Sequence, residues 1–406
     1  MKIGLDLRPL QPGFKAHLTR GIGSYSKGLI GEMADLDRDN LLVGYSDPGF
    51  GDPVVPFPSR GSFNGFGGGP FRPLIQKKMA LSQHLFFRFP LSKAYRKDHL
   101  DLFFFPSHLD VPAGFHLPYV AVVHDLIQFA LDVTYDSLRD RIMKRFSLNT
   151  IRNATALIAV SSNTRDDVVK YAGVSPDKVK VIPEGVDPRF HMDPRPDEKS
   201  RLQEKYGVVP PYVLHVGGVE RRKNIHTLLE VFFKVGYRYE GIKLVVAGDV
   251  RGDPNYPYFE SQVNLRTLWD RLVLPGYIDG EDLPALYRNA EVLFYPTLYE
   301  GFGIPVAEAL ACGTPVVSSS VSSLPEIAGE AALLCHPHSV EQFEVSLIKA
   351  LRDPNVRKNL SEKGIHQAKR FVWKPIAESV LEFLRSVLNQ VSGSRQTVPG
   401  GFQNKS

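Results

Sequence analysis

The chain has 406 residues, more than one hydrophobic core usually supports, and its 43% hydrophobic content is enough to fill two. A formal charge of +5 is mild for this length and does not by itself point to nucleic acid. Two cysteines, Cys312 and Cys335, supply neither a disulfide framework nor a zinc pattern, which fits a reducing cytoplasm; Asp6 and Arg8 interrupt any signal-peptide core, and no long uncharged apolar run predicts a membrane span.

KIGLDL reads as a first strand, and the glycine-bearing RGIGSYSKGLIGEMADL follows a loop and opens a helix. Further buried strands are predicted at NLLVGYS, LDLFFFPS, PYVAVVHD, ATALIAVS and KVKVIPEG, separated by stretches long enough for crossover helices. Strands alternating with helices predict a parallel, doubly wound sheet. The segment PVVPFPSRGSFNGFGGGPFRP carries too many glycines and prolines for regular structure and reads as a flexible loop. Between Arg72 and Lys97 seven cations stand without a single Asp or Glu, interleaved with Phe and Leu. Two readings are open there: a peripheral surface that meets anionic lipid, or a helix packing its aromatics inward with solvated lysines outside. In IAVSSNTRDDV, Ser161 or Ser162 is expected to cap a helix.

GVDPRFHMDPRPDEKS combines prolines with mixed charge and no helical period, so it reads as a linker, with the boundary near Pro196. The second half repeats the alternation, with strands at PYVLHVGG, IKLVVAGD, RLVLPGYI, AEVLFYPT, TPVVSS and AALLCHP. The predicted organisation is therefore α/β, with one doubly wound domain over 1–196 and another over 197–371. A helix over 372–390 follows Trp373-Lys374-Pro375, and the polar stretch 391–406 reads as a disordered tail.

The most informative segment is YEGFGIPVAEALACGTPVV, 299–317, which sets Glu300 and Glu308 around a Gly-Phe-Gly turn at the carboxyl end of a strand. Pro305 suits a first helical turn and Gly313 a left-handed exit, so a helix is expected from about Ile304 to Cys312. Its free N–H groups favour phosphate oxygens, and Gly301 and Gly303 let a ligand approach the backbone. Taken with its order and neighbours, this segment resembles the signature of the family-4 retaining glycosyltransferases. Those enzymes have the GT-B fold, two Rossmann-like domains with a nucleotide-sugar bound in the cleft between them, and the last helix crosses back to the N-terminal domain.

That resemblance implies roles for particular residues. In VGGVERRKNIHTLLEV, Gly217 and Gly218 lie at a strand end, and Arg222 and Lys223 are implied as diphosphate ligands that stabilise charge on the leaving group; Arg221 is left aside. Arg20-Gly21-Ile22-Gly23 looks like the family's glycine-rich loop, which places Gly21 and Gly23 against the donor. His124, in PYVAVVHDLIQF, is expected to contact the transferred sugar, with Asp125 orienting it or the loop that follows. Glu300 would stabilise or orient the sugar, Gly301, Phe302, Gly303 and Ile304 would supply backbone contacts, Glu308 would hold the ribose, and Ile278 would lie beside the nucleobase.

The pairs Asp35-Leu-Asp37 and Asp37-Arg-Asp39 match a metal-holding Asp-x-Asp pattern, but they sit at a polar helix end where acids face solvent, so neither metal nor cofactor is expected. The flavour of RGIGSYSKGL, VVHDLIQF and VIPEGVD resembles mannosyl- or rhamnosyltransferases of bacterial surface polysaccharide assembly. The implied reaction moves a hexose, GDP-mannose being the first donor considered, to a saccharide or lipid-linked saccharide. It would take place in the cytoplasm, with possible peripheral contact at an anionic membrane and no nucleic-acid partner. Two rivals stand beside it: a nucleotide-sugar epimerase on a similar scaffold, and a noncatalytic nucleotide-sugar-binding partner.

Overall fold

Apolar runs buried on both faces make central parallel strands; among the described residues twelve largely apolar runs form two six-stranded sheets, those at Val179–Val181, Leu272–Gly276 and Ala332–Cys335 being only half-buried. A computed structural model describes residues 2–12, 14, 21–37, 41–46, 52–54, 96–131, 137–239 and 241–396. The first sheet holds β1 (Ile3–Asp6), β2 (Leu42–Tyr45), β3 (Leu102–Phe105), β4 (Tyr119–Val123), β5 (Ala156–Ala159) and β6 (Val179–Val181) in the order β2-β1-β3-β4-β5-β6. The second holds β7 (Tyr212–Val216), β8 (Lys243–Ala247), β9 (Leu272–Gly276), β10 (Val292–Tyr295), β11 (Val316–Ser319) and β12 (Ala332–Cys335) in the order β12-β11-β10-β7-β8-β9. All described pairings are parallel, and every strand expected from the sequence is present.

In each sheet the chain works outward in one direction, returns, and works outward in the other. The reversal falls between β1 and β3 in the first sheet and between β7 and β10 in the second. Loops leaving adjacent strands diverge at such a point, which opens a crevice at the strands' carboxyl ends.

The chain divides into two compact units, 1–185 together with 373–406, and 186–372. The division lies at Gly185, ahead of the Pro196 boundary expected from the sequence. The proline-rich stretch is docked: Val186 bridges to Val372, Phe190 meets Tyr287 edge to face, and Arg288 pairs with Glu198 and donates to the His191 carbonyl at 2.8 Å. Local composition looked like a linker, whereas contacts with residues about a hundred positions away hold the stretch in the second unit.

The last helix, Trp373–Gln396, lies with the first unit and buries Ile376, Ala377, Val380, Leu381, Leu384, Val387 and Leu388 along one face. It runs six residues beyond the expected start of the tail at Val391, because extending an existing helix costs far less than nucleating one. The expected flexible loop at 53–73 and the basic aromatic segment 72–97 lie almost wholly outside the described residues, as do Arg20 and Asp39. Asp37 does more than face solvent, since its carboxylate accepts from the Leu41 and Leu42 N–H groups, both at 2.9 Å. Ser161 caps the helix Ser162–Asp167 by accepting from the Thr164 N–H at 3.0 Å.

Trp373 fills a slot in the first unit between two glycines. A Cβ built on Gly28 would lie 2.2 Å from the indole, and one on Gly185 would lie 2.3 Å from it. Gly28→Ala is therefore expected to destabilise the protein by about 1–3 kcal/mol through overpacking, even though alanine is the better helix former. Chemical denaturation measures this; an alanine variant more stable than the parent would contradict the packing.

Candidate active site

The loops that leave β7 and β10, on either side of the second reversal point, carry the cationic and acidic candidates. After β7 the chain turns through Gly217 at φ +111°, makes a single 3-10 turn over Arg221–Lys223, and reaches Asn224 at φ +55°. The Asn224 amide then fixes that turn by donating to the Pro296 carbonyl at 2.9 Å and the Pro337 carbonyl at 2.7 Å. The two loops are joined directly, the Leu298 N–H donating to the Arg222 carbonyl at 2.7 Å. Lys223 and Glu300 are thus held by a web of main-chain bonds.

Glu300 is the meeting point. Its Oε1 accepts from Arg222 Nη1 at 2.6 Å, from Lys223 Nζ at 2.9 Å and from the Tyr295 hydroxyl at 2.8 Å. The same Tyr295 hydroxyl accepts from Lys223 Nζ at 2.5 Å, and Arg222 Nε donates to Glu220 at 2.7 Å. Oε2 of Glu300 forms no hydrogen bond among the described residues, and the side chain is 12% exposed. One carboxylate oxygen is thus an anchor and the other is not used in it.

Burial works against each charge, and the neighbours decide the outcome. For Glu300, desolvation opposes ionisation, yet Lys223 and Arg222 hold the carboxyl below its ordinary range. For Lys223, buried to 5% exposure, desolvation prevails over Glu300 and leaves the ammonium less basic than usual. Arg222 is pushed upward because, although desolvation opposes its charge, Glu300, Tyr295 and Glu220 together outweigh it. Tyr295, raised well above the ordinary phenol by burial and by Glu300, stays protonated and donates. Beneath it His215 is pushed down to about 3 by burial and by Lys223, so it is neutral. Its Nδ1–H donates to the Phe294 carbonyl at 3.1 Å, while Nε2 is buried without a partner among the described residues.

The remaining candidates lie elsewhere in the second unit. A Cβ on Gly217 would lie 2.9 Å from Lys223 Cε, so this glycine makes room for the lysine stem; one on Gly218 would meet Asp253 at 2.9 Å. The helix Ile304–Ala311 begins after Gly303 at φ +98°; Pro305 has no N–H and the Val306 N–H donates to the Gly303 carbonyl at 2.9 Å, which leaves the Gly303 and Ile304 N–H groups at its start. The carbonyls of Glu300 and Phe302 accept from Ser323 Oγ, the Glu300 N–H donates to Ser322 Oγ at 3.0 Å, and the Phe302 ring packs on Phe371. Glu308 accepts from the Tyr287 hydroxyl at 2.7 Å. Ile278 is buried two residues beyond β9, and the Arg189 guanidinium reaches to about 3.5 Å of the Cβ position of nearby Gly280.

The first unit carries the other candidates. Gly21 and Gly23 lie within the first turn of the helix Gly21–Leu36 rather than in a loop before it. His124, at the end of β4, has both ring nitrogens engaged: Nδ1 with Glu184 at 2.9 Å and Nε2 with the Pro106 carbonyl at 2.8 Å. Asp125 accepts from the Ile127 N–H at 3.2 Å and so shapes the loop after it.

Tyr295, Glu220, Ser323, Tyr287 and Glu184 were not singled out in the sequence. Tyr295 had one signal, a polar atom at the end of an otherwise apolar strand, and buried tyrosine hydroxyls need partners.

Residues 21–190 match the model described as Glycosyltransferase Family 4, and residues 197–367 match Glycosyl transferases group 1. The O-antigen chain mannosyltransferase B of Escherichia coli is 27% identical over 87% of this chain and 93% of its own. The serotype-specific mannosyltransferase WbdA of Escherichia coli is 28% identical over 69% of this chain, which spans 35% of WbdA. Among solved structures, sucrose-phosphate synthase from Thermosynechococcus elongatus is similar with a TM-score of 0.73 at 22% identity, covering 96% of this chain and 100% of that one. WaaG, a glycosyltransferase involved in lipopolysaccharide biosynthesis, is similar with a TM-score of 0.67 at 16% identity, covering 94% and 99%. These structural likenesses establish a GT-B fold.

Glu300→Ala would leave Lys223 buried without its counter-charge. It is expected to destabilise the protein by about 3 kcal/mol, the usual scale for breaking one side of a buried ion pair. Denaturation of the two proteins side by side measures the difference, and equal stability would show that the cluster does not form.

Proposed function

The chain belongs to the glycosyltransferases whose group 1 and family 4 models cover its two halves, and on that premise we propose that it is a retaining, metal-independent hexosyltransferase. Its donor is a nucleotide-sugar, GDP-mannose in the first instance, and its acceptor a saccharide or lipid-linked saccharide of a surface polysaccharide. The mannose assignment draws support from the similarity to mannosyltransferase B, which spans most of both chains. The transferase class rests foremost on one observation, the Arg222–Lys223–Glu300 cluster at the carboxyl ends of β7 and β10.

In the proposed step the bond between sugar C1 and the phosphate oxygen breaks while the acceptor oxygen bonds to C1 on the same face. The departing phosphate takes the acceptor's hydroxyl proton, so a nucleoside diphosphate and the glycosylated acceptor are the products. Lys223 and Arg222, together with the Gly303 and Ile304 N–H groups at the start of the helix Ile304–Ala311, take up the negative charge that develops on the phosphate. Glu300, anchored through Oε1, offers Oε2 to a sugar hydroxyl. Gly301 and Gly303 admit the donor to the backbone, Glu308 holds the ribose, and Ile278 lies beside the base. His124 serves the transferred sugar. Fixed cations replace a divalent metal as counter-charge to the diphosphate.

No helix among the described residues is long and apolar enough to cross a membrane. We propose a cytoplasmic enzyme that meets the inner membrane face through the basic aromatic segment 72–97.

Donor screening by mass spectrometry is expected to show transfer from GDP-mannose, with the anomeric configuration kept and no loss of rate in EDTA. Transfer from UDP-sugars alone, or inversion, would overturn the corresponding part of the reading. Removal of one preorganised donor to developing charge costs about 10²–10³ in kcat, the scale expected for Lys223→Ala. Burial makes Lys223 less basic, and it must be charged to act, so activity is expected to fall as pH rises through a value below the ordinary lysine range. Lys223→Arg should move that fall to higher pH; a pH–rate profile unchanged by the substitution would count against the lysine's role.

A further inference from the structure

His124 is fixed from two sides in a way that restricts its protonation. The Pro106 carbonyl can only accept, so Nε2 carries a hydrogen, and Nδ1 faces a carboxyl oxygen of Glu184. At ordinary basicities the proton shared by an imidazole and a carboxylate rests on the imidazole. Both nitrogens are then donors whose bonds are already committed, leaving no N–H for a substrate hydroxyl. What the ring still presents, through a side chain 12% exposed, is positive charge.

The groups around it fit that state. Tyr25, from the helix Gly21–Leu36, meets the imidazole edge to face with centroids 4.7 Å apart. Its phenol is raised well above the ordinary value by burial and the nearby Glu184 charge, so it stays neutral. Asp125 on the same loop adds negative charge, and Thr164 from the helix Ser162–Asp167 donates to the His124 carbonyl at 3.4 Å.

We propose that His124 serves the transfer reaction as a fixed imidazolium, with Glu184 the positioning residue that keeps both ring nitrogens protonated, so that the ring offers charge rather than a hydrogen bond to a phosphate-bearing substrate. This rests on the transferase reading and adds to it a charge state and a residue, Glu184, to which the sequence assigned no role. Desolvation alone would make the imidazole less basic; Glu184 reverses that and raises it above its ordinary value. Because the folded state favours the proton, the pair's contribution to stability is complete below the ordinary histidine value and is lost as pH rises through the raised one.

The test uses the full chain, with imidazole nitrogen NMR for the protonation state and pH–rate profiles for its use. In the parent at neutral pH both His124 nitrogens should carry hydrogen. In Glu184→Gln the His124 titration should move down by about one pH unit or more, which corresponds to about a tenfold greater loss of kcat at alkaline than at acid pH. Glu184→Asp, which keeps the charge, should restore most of the parent profile. A singly protonated His124 in the parent would overturn the proposal, whether or not any variant folds. So would a titration that Glu184→Gln leaves in place, or a loss of kcat equal at all pH. Should no donor be transferred at all, the transferase reading fails, while the nitrogen spectrum still reports separately on the imidazolium.

Discussion

Two cations and one carboxylate share a nearly dry corner of the second unit, and much of the local architecture follows from that. Lys223 is almost wholly buried, and an ammonium in such a place is tolerated only with acceptors at hand. Oε1 of Glu300 and the Tyr295 hydroxyl are those acceptors. Gly217 must lack a side chain so that the lysine stem can pass, Asn224 must adopt a left-handed turn so that the loop can close, and the Arg222 carbonyl ties the β7 loop to the β10 loop. Glu300 is the counter-ion that keeps both cations in position. A diphosphate placed there, as proposed, would meet one buried and one partly buried cation already oriented, a condition that favours electrostatic stabilisation.

Topology explains why those residues meet. Residues 222 and 300 are 78 positions apart, yet they follow neighbouring strands whose succeeding connections run in opposite directions. The first unit repeats the device with different chemistry. Its β3 and β4 ends bring the Pro106 carbonyl to His124, and Glu184, beyond β6, meets the other ring nitrogen at 2.9 Å. Each unit thus places a cluster of partnered polar side chains at the carboxyl end of its sheet, where a parallel sheet exposes functional side chains.

Much of this was legible in the chain itself. Parallel strands are continuous apolar runs, so all twelve could be read from AEVLFYPT, PYVAVVHD and their like, and Pro305 with Gly313 delimited the helix after Glu300 to within a residue. Arg222, Lys223 and Glu300 were recognisable by their order, whereas their mutual pairing was not, because nothing local to residue 300 indicates a partner at 222. Tyr295 and Glu184 escaped for the same reason: each looks like the end of a strand or a turn until long-range contacts give it a partner. The proline-rich 185–196 stretch misled in the opposite direction, since composition reports stiffness and polarity but not docking, and the last helix outran its apolar face because its polar end extends a helix already anchored.

The central claim is that fixed positive charge in the second unit is built for a diphosphate. The most direct measurement is calorimetric titration of the intact protein with the nucleoside diphosphate of its accepted donor and with the corresponding monophosphate. Two charge-assisted contacts to the outer phosphate predict diphosphate binding tighter on the order of 100-fold, with most of that preference lost when Arg222 and Lys223 are both replaced by alanine. Equal affinity for the two nucleotides in the unaltered protein would contradict the account.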